Sequence, residues 1–426
     1  MHPHDALPLP PRPNLDQYKK RAKDLLKAAH SQDPAVLHTW AGDWIESLAR
    51  LSSVASNNTS VIPSEVDGPR SDPSTQSRDL GFFGEPRLPP EGVTAPLEQF
   101  ARQKLSEHST LTAAQFVIAR AHGFESWPRL AKHIESLARA NSSVENFERA
   151  VDAIIAGDLA TLAHLLKKDP ALIRARSPRR HHSTLLHYVG ANGIENYRQK
   201  TPRNIVDITE LLLASGADIN ATADLYGGST TLSLVATSIH PERAGVQNTL
   251  LQLLLNHGAT IDAPNSPTLL VNVCLANGRG KAAEFLANHG AKLDLEAAAG
   301  VGRLELVKMF FDDSGALTSA ATTTQKERGF LWACEYGKNE MVEFLLGRGV
   351  SLQSQANTGQ TALDWAVIGG QAETITLLLS RGADLEAKNA YGGTALGQAL
   401  WSAAHSDSTI NYQQIAELLK LHGAKS

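Results

Sequence analysis

The stretch GQTALDWAVIGGQAETITLLLSRGADLEAK, residues 359–388, predicts two short helices joined by a turn. Thr361 stands where a threonine hydroxyl can accept an N–H group of the first helical turn, and Gly369-Gly370 ends that helix. The second helix carries a stripe of isoleucine and leucine and stops at Gly382, which suits the left-handed position after a helix. Neither helix is long enough to be stable alone, so both apolar stripes need a neighbour.

Copies of this unit recur at a spacing of 33 residues. Thr394 stands 33 residues after Thr361, and Trp332 stands 33 residues before Trp365. The glycine that closes the second helix occurs seven times, as Gly216, Gly258, Gly290, Gly315, Gly349, Gly382 and Gly423. Because each unit can bury its apolar face only against the next one, this repetition predicts a stack of helix pairs.

The period of 33, with T-x-L-x-x-A, then Gly, then L-L-L-x-x-G-A-D, resembles the ankyrin repeat. The resemblance covers roughly residues 145–426, with about eight repeats, and phrases within it resemble bacterial ankyrin-repeat proteins. It implies an all-α fold class, an ankyrin-repeat α-solenoid of helix-turn-helix repeats with short β-turn or hairpin fingers. It also implies a non-catalytic protein–protein interaction scaffold. The partner cannot be identified, because the fold does not determine what it binds.

Composition narrows the class of protein. The formal net charge of −4 argues against a general binder of polyanions, so we expect no nucleic-acid partner. Two cysteines in 426 residues cannot form a disulfide framework, which favours a reducing, cytoplasmic compartment. The N-terminus lacks the apolar region of a signal peptide, and no run of 18 apolar residues occurs, so we expect no membrane contact. We expect a monomer.

The region before the repeats is predicted to contain a small helical module. Residues 1–14 are rich in proline and are expected to be disordered. Residues 15–51 and 97–140 show helical periodicity, and the Ser-, Pro- and Gly-rich segment 52–96 between them is expected to be a flexible linker. We interpret the module as an N-terminal cap for the repeats. Lysines within residues 19–27 leave open a basic nucleic-acid arm, although neighbouring aspartates dilute their charge.

Three repeats carry insertions between their helices. Gly193 to Leu211 spans 18 residues where Gly370 to Leu377 spans 7, so repeat two carries 11 additional residues. By the same measure repeat three carries 7 additional residues and repeat eight carries 8. All three insertions leave one edge of an ankyrin stack, and we expect those of repeats two and three to lie side by side.

The insertions hold an uncommon set of polar groups, with Tyr197 and Arg198 in one loop and His240 and Glu242 in the next. One interpretation is a polar contact site for a partner, or a pocket that forms a small-ligand or enzymatic site. The other is that the two loops lock onto each other, for example through an ion pair between Glu242 and Arg198. The second is favoured, because polar loops are often only solvated.

Further partner-binding candidates come from the variable surface positions of the resembled family. These are the finger tips, such as Tyr226, and the residues near the mid-repeat glycine, such as Tyr336 and Trp401. Exposed tyrosine and tryptophan make good anchors for a partner. Each of the three could instead pack against a neighbouring repeat.

No motif of a known catalytic or cofactor site occurs, so we expect no catalytic residue, no cofactor and no metal. Cys274 and Cys334 align with small core positions and are expected to be inert. His187 stands at the histidine position of the ankyrin pattern, where the resemblance implies a structural role. His181 and His182 suggest a metal site only weakly, because adjacent side chains point apart and no further ligand stands at suitable spacing.

One connection in the middle of the chain is too short for a finger. Gly290 to Leu295 spans only 5 residues, where Gly382 to Leu396 spans 14. This spacing predicts a bend or a gap in the row of fingers. The segment SAATTTQKERG then restores a longer connection into the next repeat.

Overall fold

The computed structural model describes residues 6–10, 12–31, 33–56, 90–262, 268–356, 358–406 and 409–425. Of these, the residues up to Thr260 form one compact unit and those from Ile261 form a second. Residues 1–5 of the predicted disordered N-terminus and residues 57–89 of the predicted linker lie outside the described residues. In the part of the chain that is described, no helix combines the length and the apolar character needed to span a membrane.

The first unit is mainly helical. Its α-helices are α1 (Leu15–Ala29), α2 (Pro34–Ser56), α3 (Pro90–Glu107), α4 (Leu111–Ala121), α5 (Trp127–Leu137), α6 (Ser143–Ala156), α7 (Leu159–Lys168), α8 (Ile205–Ala214), α9 (Thr231–Thr237), α10 (Ile239–Arg243) and α11 (Gln247–Asn256). Short 3-10 helices cover Pro170–Arg174, Leu185–Gly190 and Asn196–Arg198, and the strands β1 (Thr222–Ala223) and β2 (Ser229–Thr230) form an antiparallel pair.

Helices α1 to α4, together with the start of α5, share one apolar core that corresponds to the predicted helical module. Helix α1 begins after Asn14, whose side chain accepts a backbone N–H of the first turn at 2.8 Å. Its residues Tyr18, Ala22 and Leu25 recur at helical spacing and are all buried. Trp44 of α2 is also fully buried in this core. The apolar stripe of each helix is therefore covered by its neighbours.

The boundaries of this module differ from those predicted. Leu7, within the segment 1–14 that was expected to be disordered, is buried and donates its N–H to the carbonyl of Ala121 at 2.7 Å. Its own carbonyl accepts a hydrogen bond from Nδ1 of His122 at 2.9 Å. Helices α2 and α3 also extend into both ends of the predicted linker 52–96. Burial of the Leu7 side chain and two backbone hydrogen bonds explain why a proline-rich segment is held in place.

The rest of the first unit consists of helix pairs. Helix α6 packs on α7, the 3-10 helix Leu185–Gly190 packs on α8, and α9 packs on α11. His187 caps its own 3-10 helix through Thr184, and its Nε2 donates to the carbonyl of Ala221 at 3.0 Å. The structural role that was predicted for His187 is therefore confirmed: it bridges one repeat to the hairpin of the next.

The second unit repeats one pattern of a first and a second helix. Its helices are α12 (Leu270–Ala276), α13 (Gly280–Asn288), α14 (Leu295–Gly300), α15 (Leu304–Lys308), α16 (Thr323–Glu335), α17 (Asn339–Gly347), α18 (Ala362–Ile368), α19 (Ala372–Ser380), α20 (Ala395–His405) and α21 (Tyr412–Leu421). The first helices stack in the order α12, α14, α16, α18 and α20, and each packs on its own second helix.

Local features of the quoted stretch match the predictions made for it. Thr361 caps α18 and forms a reciprocal pair with Asp364, whose Oδ2 accepts the Thr361 N–H at 2.8 Å. Gly370 adopts a left-handed φ of 71° between α18 and α19. Trp332 and Trp365, which are 33 residues apart, meet edge to face with ring centroids 5.4 Å apart. The period of the sequence thus becomes a direct contact between neighbouring repeats.

The predicted irregularity after Gly290 is filled by a longer helix. Asp294 caps α14 directly, and α16 starts six residues earlier in its repeat than α18 does. In this extension Gln325 donates to Asp294 at 3.0 Å, and the Arg328 guanidinium pairs with Glu296 at 3.2 Å. The side of α14 that lacks an ordinary finger is therefore covered by the first turns of α16.

Gly369 should be the least replaceable residue of the quoted stretch. A Cβ there would lie 1.8 Å from the carbonyl oxygen of Glu335 in the preceding repeat, whereas a Cβ on Gly347 would meet nothing within 4 Å. We expect Gly369→Ala to lower the free energy of unfolding by about 2 kcal/mol or more through overpacking. The control Gly347→Ala should leave it unchanged or raise it by up to about 1 kcal/mol. Urea unfolding measures both; equal values for the two variants would contradict the close backbone approach.

Candidate functional site

The insertion of repeat two leads into a buried cluster of charged side chains, formed by Glu148, Arg179, Glu195 and Arg198. Nη1 of Arg179 lies 2.8 Å from Oε1 of Glu148 and 3.0 Å from Oε1 of Glu195. Nη2 of Arg198 lies 2.7 Å from Oε2 of Glu148, and its Nη1 lies 3.6 Å from Oε2 of Glu195. The exposed fractions of Arg179 and Glu195 are 1 % and 0 %. We call these four residues the charge cluster.

Three different parts of the first unit supply the charge cluster. Glu148 lies on α6, Arg179 on the loop before the 3-10 helix Leu185–Gly190, and Glu195 and Arg198 on the insertion itself. The Arg179 guanidinium also covers the ring of Phe124 at 5.5 Å, beyond the end of α4. The charge cluster therefore ties the helical module, the first repeat and the insertion together.

Further polar groups surround these four residues. Nε2 of His181 is 3.1 Å from Oε1 of Glu195, and the Tyr188 hydroxyl donates to the same oxygen at 3.4 Å. The Tyr197 hydroxyl accepts a long hydrogen bond of 3.5 Å from Arg179. On the outer side, Asp152 of α6 binds Arg198 at 2.8 Å. These contacts hold His181 to the carboxylate of Glu195, while its Nδ1 accepts the Ser183 N–H at 3.2 Å.

Opposite charges outweigh burial in setting the ionisation of the charge cluster. Burial alone raises the pKa of the Glu148 carboxyl, but the guanidinium groups of Arg179 and Arg198 together hold that pKa at about 2. The pKa of Glu195 is lowered for the same reason, against a burial effect that raises it. Both carboxylates are therefore ionised at neutral pH. The two carboxylates balance the two arginines, so the charge cluster has no net charge to offer a ligand.

Arg198 was a candidate for partner contact, and the structure places it in the interior with 8 % of its surface exposed. Its carboxylate partners are Glu148, Asp152 and Glu195, in place of the Glu242 considered from the sequence. Tyr197 is half-buried beside it. The insertion of repeat two thus turns inward at Arg198 and is held to α6 by ion pairs with Glu148 and Asp152.

The remaining candidates of this region are half-buried. His240 and Glu242 lie on α10, which begins after Ser238. Tyr226 has a left-handed φ of 48°, and its ring covers Gly193, where an added Cβ would lie 2.5 Å from Cε2 of the tyrosine. Tyr226 therefore packs over the start of the repeat-two insertion.

The two candidates of the second unit differ in their surroundings. Tyr336 donates from its hydroxyl to the carbonyl of Leu275 at 2.5 Å, and its ring lies against Gly280, so it packs across two repeats. Trp401 on α20 is 39 % exposed and stacks on His405 with ring centroids 4.9 Å apart. Tyr391, before α20, is 65 % exposed. Exposed aromatic surface is thus found in the last repeat.

Chemistry by thiols or metals finds little support in the described residues. Cys274 and Cys334 are both fully buried, and burial raises the pKa of each thiol well above its usual range, so neither is a thiolate near neutral pH. Across the described ranges, no three His, Cys, Asp or Glu side chains converge as a metal site would require.

Comparison with known proteins identifies the repeats of the second unit. The family model described as "Ankyrin repeats (3 copies)" matches residues 295–389 and 330–425. Residues 295–425 are ankyrin repeats. The match and the helix order confirm the predicted all-α ankyrin-repeat fold class. The extension of these repeats over 145–426 and their number of about eight stay predictions.

Among solved structures, the chain is similar to the human ASB11 ankyrin repeat domain. The two share 20 % sequence identity with a TM-score of 0.33, over 65 % of this chain and 98 % of that one. No curated protein sequence matches this chain.

Removing one charge from the cluster should destabilise the first unit strongly. Glu195→Gln keeps the shape but leaves Arg179 and Arg198 with too little negative charge, and we expect a loss on the order of 3 kcal/mol in the free energy of unfolding. The control Glu210→Gln, on the exposed face of α8, should change it by less than about 0.5 kcal/mol. Thermal and urea unfolding test this; a Glu195→Gln variant as stable as its control would show that the cluster contributes nothing.

Buried histidines should make the first unit sensitive to acid. Burial lowers the pKa of His122 to about 3 and those of His133 and His187 to about 4. The unfolded chain therefore binds more protons than the folded chain below pH ~6.5, the ordinary pKa of histidine, and stability falls as pH drops towards 4.

The slope of stability against pH should reach about 1.4 kcal/mol per pH unit for each histidine. Urea midpoints measured between pH 7 and pH 4 (about one value per half unit) give this slope. His133→Phe removes one of these buried histidines and should lower the slope by about 1.4 kcal/mol per pH unit. A profile that stays level through this window in the wild-type chain would contradict the neutral buried state of these side chains.

Proposed function

We propose that this protein is a non-catalytic, cytoplasmic interaction scaffold of bacterial type that binds a protein partner through its ankyrin repeats. The observation that carries the proposal is the exposed aromatic pair of the last repeat, Tyr391 at 65 % and Trp401 at 39 %. Leu400, beside Trp401, adds a further apolar side chain at 37 %. Large rigid aromatics of this kind are the usual anchors of protein interfaces.

The position of these residues within the repeat supports the same function. Tyr391 follows Asn389 in the finger, whose side chain accepts the Tyr391 N–H at 3.0 Å and so fixes the backbone of the tip. Trp401 stands 33 residues after Ile368, which directly precedes Gly369-Gly370 in the stretch 359–388. The resemblance to ankyrin repeats implies that side-chain type varies at finger tips and at the residues before that glycine, and both Tyr391 and Trp401 are exposed here. Their aromatic character is therefore available for binding.

The alternative, a small-ligand or enzymatic site at the insertions of repeats two and three, has weaker support. Within the charge cluster, the guanidinium group of Arg198 pairs with the carboxylates of Glu148 and Glu195. A ligand would have to break these buried contacts, which costs several kcal/mol.

Two free cysteine thiols, both buried, support a reducing compartment.

Capture from native lysate with four baits tests the scaffold proposal. The baits are the intact chain, Tyr391→Ala, Trp401→Ala and the control Met309→Ala, whose residue is 75 % exposed in a different repeat. We expect a protein to be retained by the intact chain and the control, with affinity reduced about 30-fold or more by either aromatic substitution, as for a hot-spot residue. All four baits must first show the same melting temperature.

A partner that binds all four baits equally would place the site elsewhere on the repeats. Capture of no protein by the intact chain would overturn the scaffold proposal. A screen of metabolites by thermal shift would then test the alternative, because a ligand raises the melting temperature by mass action.

A further inference from the structure

One face of α20 is apolar and uncovered. Gly397, Leu400, Trp401 and Ala404 stand at positions i, i+3, i+4 and i+7 of this helix and are all exposed. The sequence of α20, ALGQALWSAAH, contains no Asp, Glu, Lys or Arg. We call these four residues the α20 stripe. It is a continuous helical face on which no formal charge is present.

The same face is buried in the preceding repeats. Leu400 corresponds to Val367 of α18 and Cys334 of α16, 33 and 66 residues earlier, and both of those are 0 % exposed. Trp401 corresponds to Ile368, which is half-buried, and to Glu335, which is 2 % exposed. In those repeats the following first helix covers the face, since α16 packs on α18 and α18 packs on α20. The α20 stripe is therefore the stacking surface of a repeat on which, among the described residues, no further repeat is stacked.

The residue types of the α20 stripe do not suit a free end. A terminal repeat of a solenoid normally carries a polar outer face, because the stacking surface would otherwise stay exposed to water. Here the positions hold leucine and tryptophan, and Tyr391 extends the apolar surface at the finger. Fingers also stack in this unit, since Ala390 donates its N–H to the carbonyl of Thr358 at 2.9 Å. Tyr391 corresponds to Thr358, so it too stands where a next repeat would rest.

We propose that a second copy of this chain covers the α20 stripe, in a two-fold symmetric pair. This inference rests on the proposed function and takes the chain itself as the protein partner. The pair continues an interface that the molecule already uses, the packing of one first helix on the next. A two-fold interface brings the same surface together from both copies, so like charges would repel, and the α20 stripe carries none.

A two-fold pair is complete with two copies, whereas head-to-tail stacking would continue into a ring or a filament. Head-to-tail stacking would need a second copy to present the preceding side of its first repeat helix, α6. That helix already packs against α5, and the charge cluster holds the same region together. Two α20 stripes facing each other bury Leu400 and Trp401 of both copies.

Sedimentation equilibrium of the full chain tests the proposal. The wild-type chain should sediment at twice its 45.7 kDa mass at micromolar concentration. Trp401→Asp places two like charges at the two-fold interface and should raise the dissociation constant of the dimer at least about tenfold. The control Leu421→Asp changes a residue of α21 that is 85 % exposed and lies outside the α20 stripe, and it should leave the dimer intact.

A second variant keeps the test decisive if Trp401→Asp folds poorly. Ala404→Cys introduces an exposed thiol, while Cys274 and Cys334 are buried. Mild oxidation should link two copies of this variant, whereas Ser380→Cys, on the exposed side of α19, should stay unlinked.

A wild-type chain that remains monomeric at about 100 μM would overturn the dimer, because a dimer with a dissociation constant of about 100 μM or lower would be populated at that concentration. A dissociation constant left unchanged by Trp401→Asp would overturn it as well. A monomer that still captures another protein through Trp401 would leave the scaffold proposal standing and remove only this inference. A dimer together with no captured partner would support this inference and overturn the proposal of a scaffold for other proteins.

Discussion

Helices of six or seven residues cannot hold their own shape in water, and this constraint governs the repeats of the second unit. Helices α14 and α18 are each shorter than two helical turns, so their backbone hydrogen bonds persist only because neighbours cover their apolar sides. Two contacts between neighbouring repeats provide this cover. Trp332 packs on Trp365, and Gly369 approaches the carbonyl of Glu335 closely. Stability is consequently shared along the stack: each repeat depends on the packing of the next.

The first unit meets the same constraint by different means. Its second repeat has a 3-10 helix of six residues, Leu185–Gly190, in place of an ordinary first helix, and a long insertion follows. The charge cluster replaces part of the apolar packing there, with Arg179 binding carboxylates from both α6 and the insertion. Buried ion pairs of this kind contribute little net free energy but strongly disfavour other arrangements. The insertion is thereby part of the framework, which moves the search for a partner surface to the last repeat.

The features that could be predicted from the sequence are the ones that leave a local or periodic trace. The cap at Thr361, the glycines that end helices and the tryptophan pair all recur at 33 residues, and the structure has each of them. The charge cluster could not be predicted in this way, because Glu148 and Glu195 are 47 residues apart and belong to no repeated pattern.

Polar residues inside an insertion gave a misleading signal. The loop around Arg198 has the composition of a solvated loop, and nothing local distinguishes an arginine that turns inward from one that faces water. The one available clue was a glutamate and an arginine placed next to apolar residues, at Ile194-Glu195 and Tyr197-Arg198. The last repeat gives a clearer signal in the sequence. Trp401 stands where Glu335 stands two repeats earlier, so the helix face at this position changes from charged to aromatic.

The buried ion pairs of the charge cluster and the exposed ion pairs of this protein respond differently to ionic strength. Exposed pairs such as Lys19–Asp16 and Arg381–Glu343 are open to counterions, and salt screens them within about 10 Å at 0.1 M. Arg179 and Glu195 are buried, so salt screens their attraction much less than that of the exposed pairs. The attachment of the helical module to the first repeats is therefore a connection that a change in the ionic composition of the surroundings loosens little.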